Sequence, residues 1–459
     1  MSTQFDAIVI GTGQAGPFLT RRMAASGMKV AIVERKLFGG TCVNTGCIPT
    51  KTMIASAYAA HMARRADFGV KIDGAVSVDM QKVKARKDEI SGQSRSGLES
   101  SLKKLENCTV YQGHARFESP REVSVGVERL TADRIFVNVG ARAIVPEMPG
   151  VEQIDYLTNS SMMGVDFLPK HLMIVGGSYI GLEFGQMFRR FGSEVTIIEM
   201  GPRLMQREDE DVSAAVQEIV EREGVRVRLN AKCIGFSKRA EEIVARVDCT
   251  DPPQEVSGTH VLLAVGRRPN TDDLGLEKAG VIVDDHGYIG VDDQLRTNVP
   301  GIWAVGDCNG KGGFTHTSWN DAEIVGANLL DNDPRRVSDR ITAYALYIDP
   351  PLGRAGMTEA QVRKTGRKAL IGKRLMTKVG RAVEKGETQG FMKILVDADT
   401  REILGAAILG TGGDEAIHSI LDVMYAKKPY TLIQRAMHIH PTVSELVPTM
   451  LGELQPLES

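Results

Sequence analysis

Unbroken apolar runs, each stopped by a glycine or an acid, recur along this chain. Ala7-Ile8-Val9-Ile10 is the first, and it runs into Gly11. A run with no polar alternation marks a strand buried on both faces, as in a parallel sheet. Gly11, Gly13 and Gly16 then follow in G-x-G-x-x-G spacing, and residues 17–26 are predicted to continue as a helix. The next run, KVAIVE, ends in Glu34. The same order of events returns at 172–199: LMIV, then Gly176 and Gly181, then VTII up to Glu199. First glycine and acid are 23 residues apart in both copies. Ser178 stands in the second copy where the first has Gly13.

Further runs fit around these two units. Segments 127–141 and 258–270 each bring an apolar strand to a Val-Gly turn, at like places after the two units. The stretch TNVPGIWAVGDCNG places Asp307 just past another apolar strand. Residues 81–104 read as a strongly charged helix, with Gly92 and Gly97 as weak points. Beyond about residue 337 the texture changes to alternating strands, such as FMKILVD and LGAAILG, and then helices. That predicts a separate α+β domain. The fold class is therefore α/β, with two Rossmann-like units and a C-terminal α+β unit. The expected division is 1–150 with 271–336, 151–270, and 337–459.

The repeated unit has a chemical meaning. Strand, G-x-G-x-x-G, helix, then an acid on the next strand is a dinucleotide-binding fingerprint. The first glycine makes the turn, and the second lets the backbone approach a pyrophosphate. The helix N-terminus offers unpaired N–H groups and a positive dipole end. Two such sites in one chain imply a flavin and a nicotinamide cofactor. Glu34 and Glu199 are placed to accept hydrogen bonds from ribose hydroxyls. A carboxylate at Glu199 also repels a 2′-phosphate, which favours NAD(H) over NADP(H). Arg203, nearby in MGPRL, is a cation that softens this preference.

Composition narrows the partners. A formal net charge of −2 gives no electrostatic reason to bind nucleic acid or an anionic membrane. No apolar run is long enough to span a bilayer, and the N-terminus has no secretory pattern. A cytoplasmic protein is expected. In that setting GGTCVNTGCIPTKT, residues 39–52, calls for explanation. Cys42 and Cys47 are a metal clip, a structural staple or a working redox pair. Zinc wants four ligands. The other cysteines (Cys108, Cys233, Cys249 and Cys308) are scattered singly, with no histidine pair to complete a set. A structural disulfide closing so short a loop adds little stability in a reducing compartment. A redox pair beside the first dinucleotide site is the reading that remains, with no metal expected.

Taken together, IGTGQAG, GGTCVNTGCIPTK, VGGSYIGLEFG, AVGDC and HIHPTVSE resemble the class I flavoprotein disulfide reductases along essentially the whole chain. That family includes dihydrolipoamide dehydrogenase, glutathione reductase and mercuric reductase. The resemblance implies FAD on Gly11, Gly13, Gly16, Glu34, Gly40, Thr41, Ala115 and Gly140, with Asp307 reaching the ribityl chain. It implies the nicotinamide dinucleotide on Gly176, Ser178, Tyr179, Gly181, Glu199 and Gly266. Cys47 would be the flavin-side thiol and Cys42 the thiol that meets substrate. Lys51 would lie near the flavin, paired with Glu183. Tyr179 resembles the tyrosine that covers an empty nicotinamide pocket. His440, oriented by Glu445, would move protons for the thiols of a partner subunit, which implies a homodimer.

The resemblance divides over the electron acceptor. HIHPTVSE and Glu199 are similar to dihydrolipoamide dehydrogenase. IPTKT and PPLGRAGMTEAQ are similar to a bacterial branch containing mercuric-reductase-like proteins and a copper-reducing flavoprotein of reactive-chlorine resistance. Mercuric reductase carries a C-terminal cysteine pair, whereas no cysteine follows Cys308 here. The leading expectation is a dihydrolipoamide dehydrogenase-like disulfide oxidoreductase. The alternative is a Cu(II), Hg(II) or oxidant-defence reductase using the same thiols.

Overall fold

The computed structural model of the chain describes residues 2–247 and 254–458. Cys249 lies outside them. The first sheet has five parallel strands in the order Ile302–Ala304, Arg134–Val137, Ala7–Ile10, Val30–Glu34, Cys108–Gln112. The second has five parallel strands ordered Tyr156–Leu157, His260–Leu263, His171–Val175, Glu194–Ile198, Arg226–Arg228. Four strands correspond one for one, whereas the edge strand comes last in chain order in the first sheet and first in the second. Val-Gly segments 127–141 and 258–270 each supply the strand beside the glycine-loop strand, as their pattern implied. Ala7–Ile10 and Val30–Glu34 are buried along their whole lengths, which is why their sequences do not alternate.

The glycines show why the motif has its spacing. Gly11 and Gly176 have φ of +105° and +112°. A Cβ there would lie 2.3 Å from the Asn138 carbonyl oxygen and 2.4 Å from that of Ala264. Gly16 and Gly181 lie inside the following helices, Ala15–Ala25 and Tyr179–Phe191. A Cβ on Gly181 would come within 1.9 Å of the Gly176 carbonyl oxygen. The first and third positions are thus demanded by the fold itself. The first helix begins at Ala15, ahead of the expected residue 17, so the third glycine sits in its first turn.

The C-terminal unit is a six-stranded antiparallel sheet ordered Ala343–Leu346, Leu352–Gly356, Ile403–Leu409, Phe391–Asp397, Ala369–Leu375, Gln455–Pro456. Helix Gly413–Tyr425 packs against it. FMKILVD forms a strand, but its alternation does not create a wet face, because all seven residues are buried. Lys393 at its centre is 1% exposed and is neutralised by Asp209, Asp211 and Glu359 at 2.6–3.0 Å. Ala141–Ala143 pairs with Arg267–Pro269 and ties the two parallel-sheet units together. Among the described residues, no helix is long and apolar enough to cross a membrane.

The charged helix runs unbroken from Met80 to Lys103. Gly97 has nothing within 4 Å of an added Cβ. Gly97→Ala is therefore expected to stabilise the protein by up to about 1 kcal/mol. Gly181→Ala is expected to cost about 1–3 kcal/mol through overpacking. Urea midpoints of the two variants against the parent check both. A lower midpoint for Gly97→Ala contradicts the account.

Candidate active site

The cysteine segment is laid directly on the first glycine loop. Glu34 accepts from the Thr12 amide at 3.1 Å and from its hydroxyl at 2.6 Å. The same Thr12 hydroxyl oxygen accepts from the Gly39 amide at 3.1 Å. Gly40 packs so closely that a Cβ would lie 2.9 Å from Gly13 Cα. Cys42 then falls in a short helix, Gly40–Asn44, and Cys47 is the first residue of the 18-residue helix Cys47–Arg64.

That position makes the two thiols unequal. A helix N-terminus stabilises a thiolate. Cys47 Sγ lies 3.0 Å from Thr315 Oγ1. Lys51, one turn along the same helix, adds positive charge. The hydrogen bond from the Cys42 thiol is the largest influence, and with Thr315 and Lys51 it outweighs burial, lowering the Cys47 pKa to about 6. The same bond, followed by burial, pushes the Cys42 thiol well above its ordinary value. Lys51 is itself fixed by both carboxylate oxygens of Glu183, at 2.9 and 2.7 Å. Its ammonium stands 4.5 Å from the Tyr347 ring centroid, and the Tyr347 amide donates to Glu183 at 3.2 Å.

Both thiols open on one cleft of about 2360 Å³. Its wall includes Gly11, Gly13, Glu34, Gly40, Thr41, Ala115, Gly140 and Asp307 from the flavin set. It includes Gly176, Ser178, Tyr179, Glu199 and Gly266 from the nicotinamide set, with Lys51 and Glu183 between them. Gly16 and Gly181 are not on this wall, since their task is packing. Two features of the first set suit the flavin dinucleotide that the resemblance implies. Gly140 has φ +65° and open space around it. Asp307 is a carboxylate whose pKa burial raises, and its ion-pair partner Arg267 is 3.5 Å away. That leaves acceptor capacity for a hydroxyl.

The second set is arranged differently in detail. Glu199 accepts from the Gly177 amide at 2.7 Å, the Gly201 amide at 2.8 Å and Gln206 Nε2 at 2.9 Å. Arg203 does not reach it. Its guanidinium turns to Glu210 at 3.0 Å and to the carbonyls of Gln206 and Glu208. Ser178 is exposed and makes no capping hydrogen bond.

His440 and Glu445 stand apart. Their contact holds, with His440 Nδ1 2.9 Å from Glu445 Oε2. Within one subunit, however, the His440 side chain is 80% exposed and lies off the cleft wall. Among the described residues, no group of three metal-ligating side chains includes Cys42 or Cys47. The one such group, Asp209, Asp211 and Glu359, already surrounds the Lys393 ammonium. Sequence reasoning missed Thr315, Tyr347 and Asn138, whose carbonyl and amide crowd the glycine loop. Thr315 lies eight residues beyond Asp307, and only its place at a helix start after AVGDC marks it.

The profile described as pyridine nucleotide-disulphide oxidoreductase matches residues 5–322, and that family's dimerisation domain matches 342–451. The probable pyridine nucleotide-disulfide oxidoreductase RclA of Escherichia coli (strain K12) is 33% identical, over 96% of this chain and 97% of its own. Dihydrolipoyl dehydrogenase of Thermus scotoductus is 32% identical, over 96% and 95%. Mercuric reductase of Streptomyces lividans is 32% identical, over 96% and 94%. The Cu(II) complex of the HOCl-induced flavoprotein disulfide reductase RclA from Escherichia coli superposes with a TM-score of 0.90 at 32% identity. That match covers 98% of this chain and 99% of the other.

Iodoacetamide should alkylate Cys47 of the reduced protein with a rate that climbs through about pH 6 and levels off near neutrality. Cys42 should stay slow there. Thr315→Val should move the inflection upward, because the thiolate loses a donor. Peptide mass spectrometry assigns the sites. Equal labelling of both thiols at pH 7 would refute the asymmetry.

Proposed function

The chain belongs to the pyridine nucleotide-disulphide oxidoreductase family, and from that premise we propose how its residues divide the work. It is an FAD-dependent enzyme linking a pyridine nucleotide to disulfide chemistry. Bound FAD supplies the two-electron exchange between nicotinamide and the cysteine pair. Residues 1–150 with 271–336 hold FAD, 151–270 hold the nicotinamide dinucleotide, and 337–459 form the subunit interface. Gly11, Gly13, Gly40, Thr41, Ala115 and Gly140 frame the flavin side. Glu34 takes the ribose, and Asp307 takes a ribityl hydroxyl. Lys51, clamped by Glu183, presents a fixed positive charge where reduction adds negative charge. The observation that carries this reading is the Cys47 thiol at a helix N-terminus, 3.0 Å from Thr315 Oγ1, in the cleft shared by both glycine loops.

The thiols then act in order. Cys42 begins as a protonated thiol and needs a base. His440 removes the proton, and the Cys42 thiolate attacks one sulfur of an acceptor disulfide. That S–S bond breaks, and the leaving thiolate takes its proton from His440. The Cys47 thiolate attacks Cys42 in the mixed disulfide, re-forms the Cys42–Cys47 bond and expels the second half of the acceptor as a thiolate, which takes a proton from solvent. Glu445 fixes the imidazole tautomer. Since His440 is exposed and lies off its own cleft wall, a second subunit of a homodimer supplies it. Oxidation of a dithiol is the same sequence reversed.

NADH is the preferred nicotinamide, supported by the carboxylate of Glu199 and by Arg203 being engaged elsewhere. A reducing, cytoplasmic setting suits the free thiols. A small disulfide or dithiol, as for the dihydrolipoyl dehydrogenases, is the leading substrate. One observation favours a second reading, Cu(II) as the acceptor: the similar RclA was solved as a Cu(II) complex. Thiolates suit soft metal ions.

Steady-state oxidation of NADH and NADPH with lipoamide, glutathione disulfide, Cu(II) and Hg(II) separates these readings. NADH with lipoamide should give the highest kcat/KM, and a Cys42→Ser enzyme should lose it. Fast Cu(II) reduction with negligible lipoamide turnover decides for the metal. Mixed subunits test the trans assignment: inactive Cys42→Ser and His440→Gln homodimers should form active hybrids. Hybrids without activity would mean that each His440 serves its own subunit.

A further inference from the structure

Tyr179 opens the helix of the second nucleotide unit, one turn before Glu183. Residues at this spacing share a helix face, and Tyr179 lines the same cleft as Lys51 and Glu183. Two aromatic rings hold it. Phe314 meets it edge-on at 5.6 Å between centroids, and Tyr344 does so at 5.5 Å. Phe314 and Tyr344 are stacked on each other at 5.6 Å, with an interplanar angle of 12°. These rings come from three separate segments of the chain.

Tyr344 is anchored in turn. Its hydroxyl donates to Glu208, whose side chain is fully buried. Arg354, paired with Tyr344 across the sheet, binds Glu208 through Nε at 3.1 Å and through Nη2. It also reaches Asp209 at 3.1 Å. Asp209 continues into the Lys393 cluster. Arg354 is 1% exposed, and its Nη1 has no partner. A buried ion network of this kind adds little stability over apolar packing, but it fixes geometry. The Tyr344 hydroxyl carries that fixed geometry to the cleft wall.

We propose that Tyr344, anchored by Glu208 and Arg354, is a positioning residue that latches the Tyr179 ring in its resting place over the nicotinamide pocket. The inference rests on the assignment of Tyr179 to that pocket. Entry of the nicotinamide ring must displace Tyr179 and break its edge contacts. The strength of the latch therefore sets part of the cost of binding. Loosening it makes displacement easier and binding tighter, while leaving thiol exchange at Cys42 unchanged.

The test measures the dissociation constant of NAD+ for the oxidised, FAD-loaded enzyme by titration calorimetry. The variants are Tyr344→Phe, Tyr179→Ala and the double variant. Tyr344→Phe keeps the ring and removes the hydroxyl. It should tighten NAD+ binding by about 2- to 10-fold, the worth of one hydrogen bond. Tyr179→Ala should tighten it at least as much, and the double variant should match Tyr179→Ala. Coupling of this kind marks action through Tyr179. The rate of Cys42 with a small disulfide, after chemical reduction, should be unchanged in Tyr344→Phe. Unchanged or weaker NAD+ binding by Tyr344→Phe overturns the latch, as does a double variant in which the two factors multiply. Tyr179→Ala with parental affinity overturns the assignment of Tyr179, and the latch with it.

Discussion

Three parts of the chain converge on one buried carboxylate. Glu183 belongs to the second nucleotide unit, and its side chain is 8% exposed. It accepts from Lys51 on the cysteine helix and from the Tyr347 amide in the C-terminal unit. A carboxylate so buried is costly without such partners. The pair therefore holds the units in register as well as placing a charge. Removing either partner would strand the other, which costs far more than a surface ion pair is worth. The charge felt by Cys47 depends on the same clamp, since Lys51 is one of the groups that lower its pKa.

The duplicated nucleotide unit has diverged in how each acid is held. In the first copy the Thr12 hydroxyl binds Glu34 and also receives the Gly39 amide. One hydroxyl thus couples this acid to the start of the cysteine loop. The corresponding residue in the second copy is Gly177, which has no side chain to do this. Both acids accept two backbone amides at like places, and where Glu34 has the Thr12 hydroxyl, Glu199 has Gln206 from its own following loop. The first loop is thus tied to the cysteine segment through Thr12, and the second unit through the Lys51–Glu183 pair.

Local pattern made much of this legible. Apolar runs, glycine spacing and the two glutamates are short-range features, and the two five-stranded sheets follow from them. The α/β fold class and the C-terminal α+β unit were readable for the same reason. Cys42, Cys47 and Lys51 announced themselves by their segment. Thr315, Tyr347 and Asn138 did not, because their importance lies in contacts made across 127 or more residues. Lys393 misleads in isolation. A lysine in an alternating strand suggests a solvent face, and only distant carboxylates explain its burial. Arg203 misleads in the opposite way, since proximity in sequence to Glu199 did not become contact.

Ser178 draws a line between two kinds of constraint. Its neighbours at the first and third glycine positions are forbidden a side chain by the protein's own backbone. Ser178 is exposed on the cleft wall. The loop thus carries one position that foldability leaves open between two that it closes.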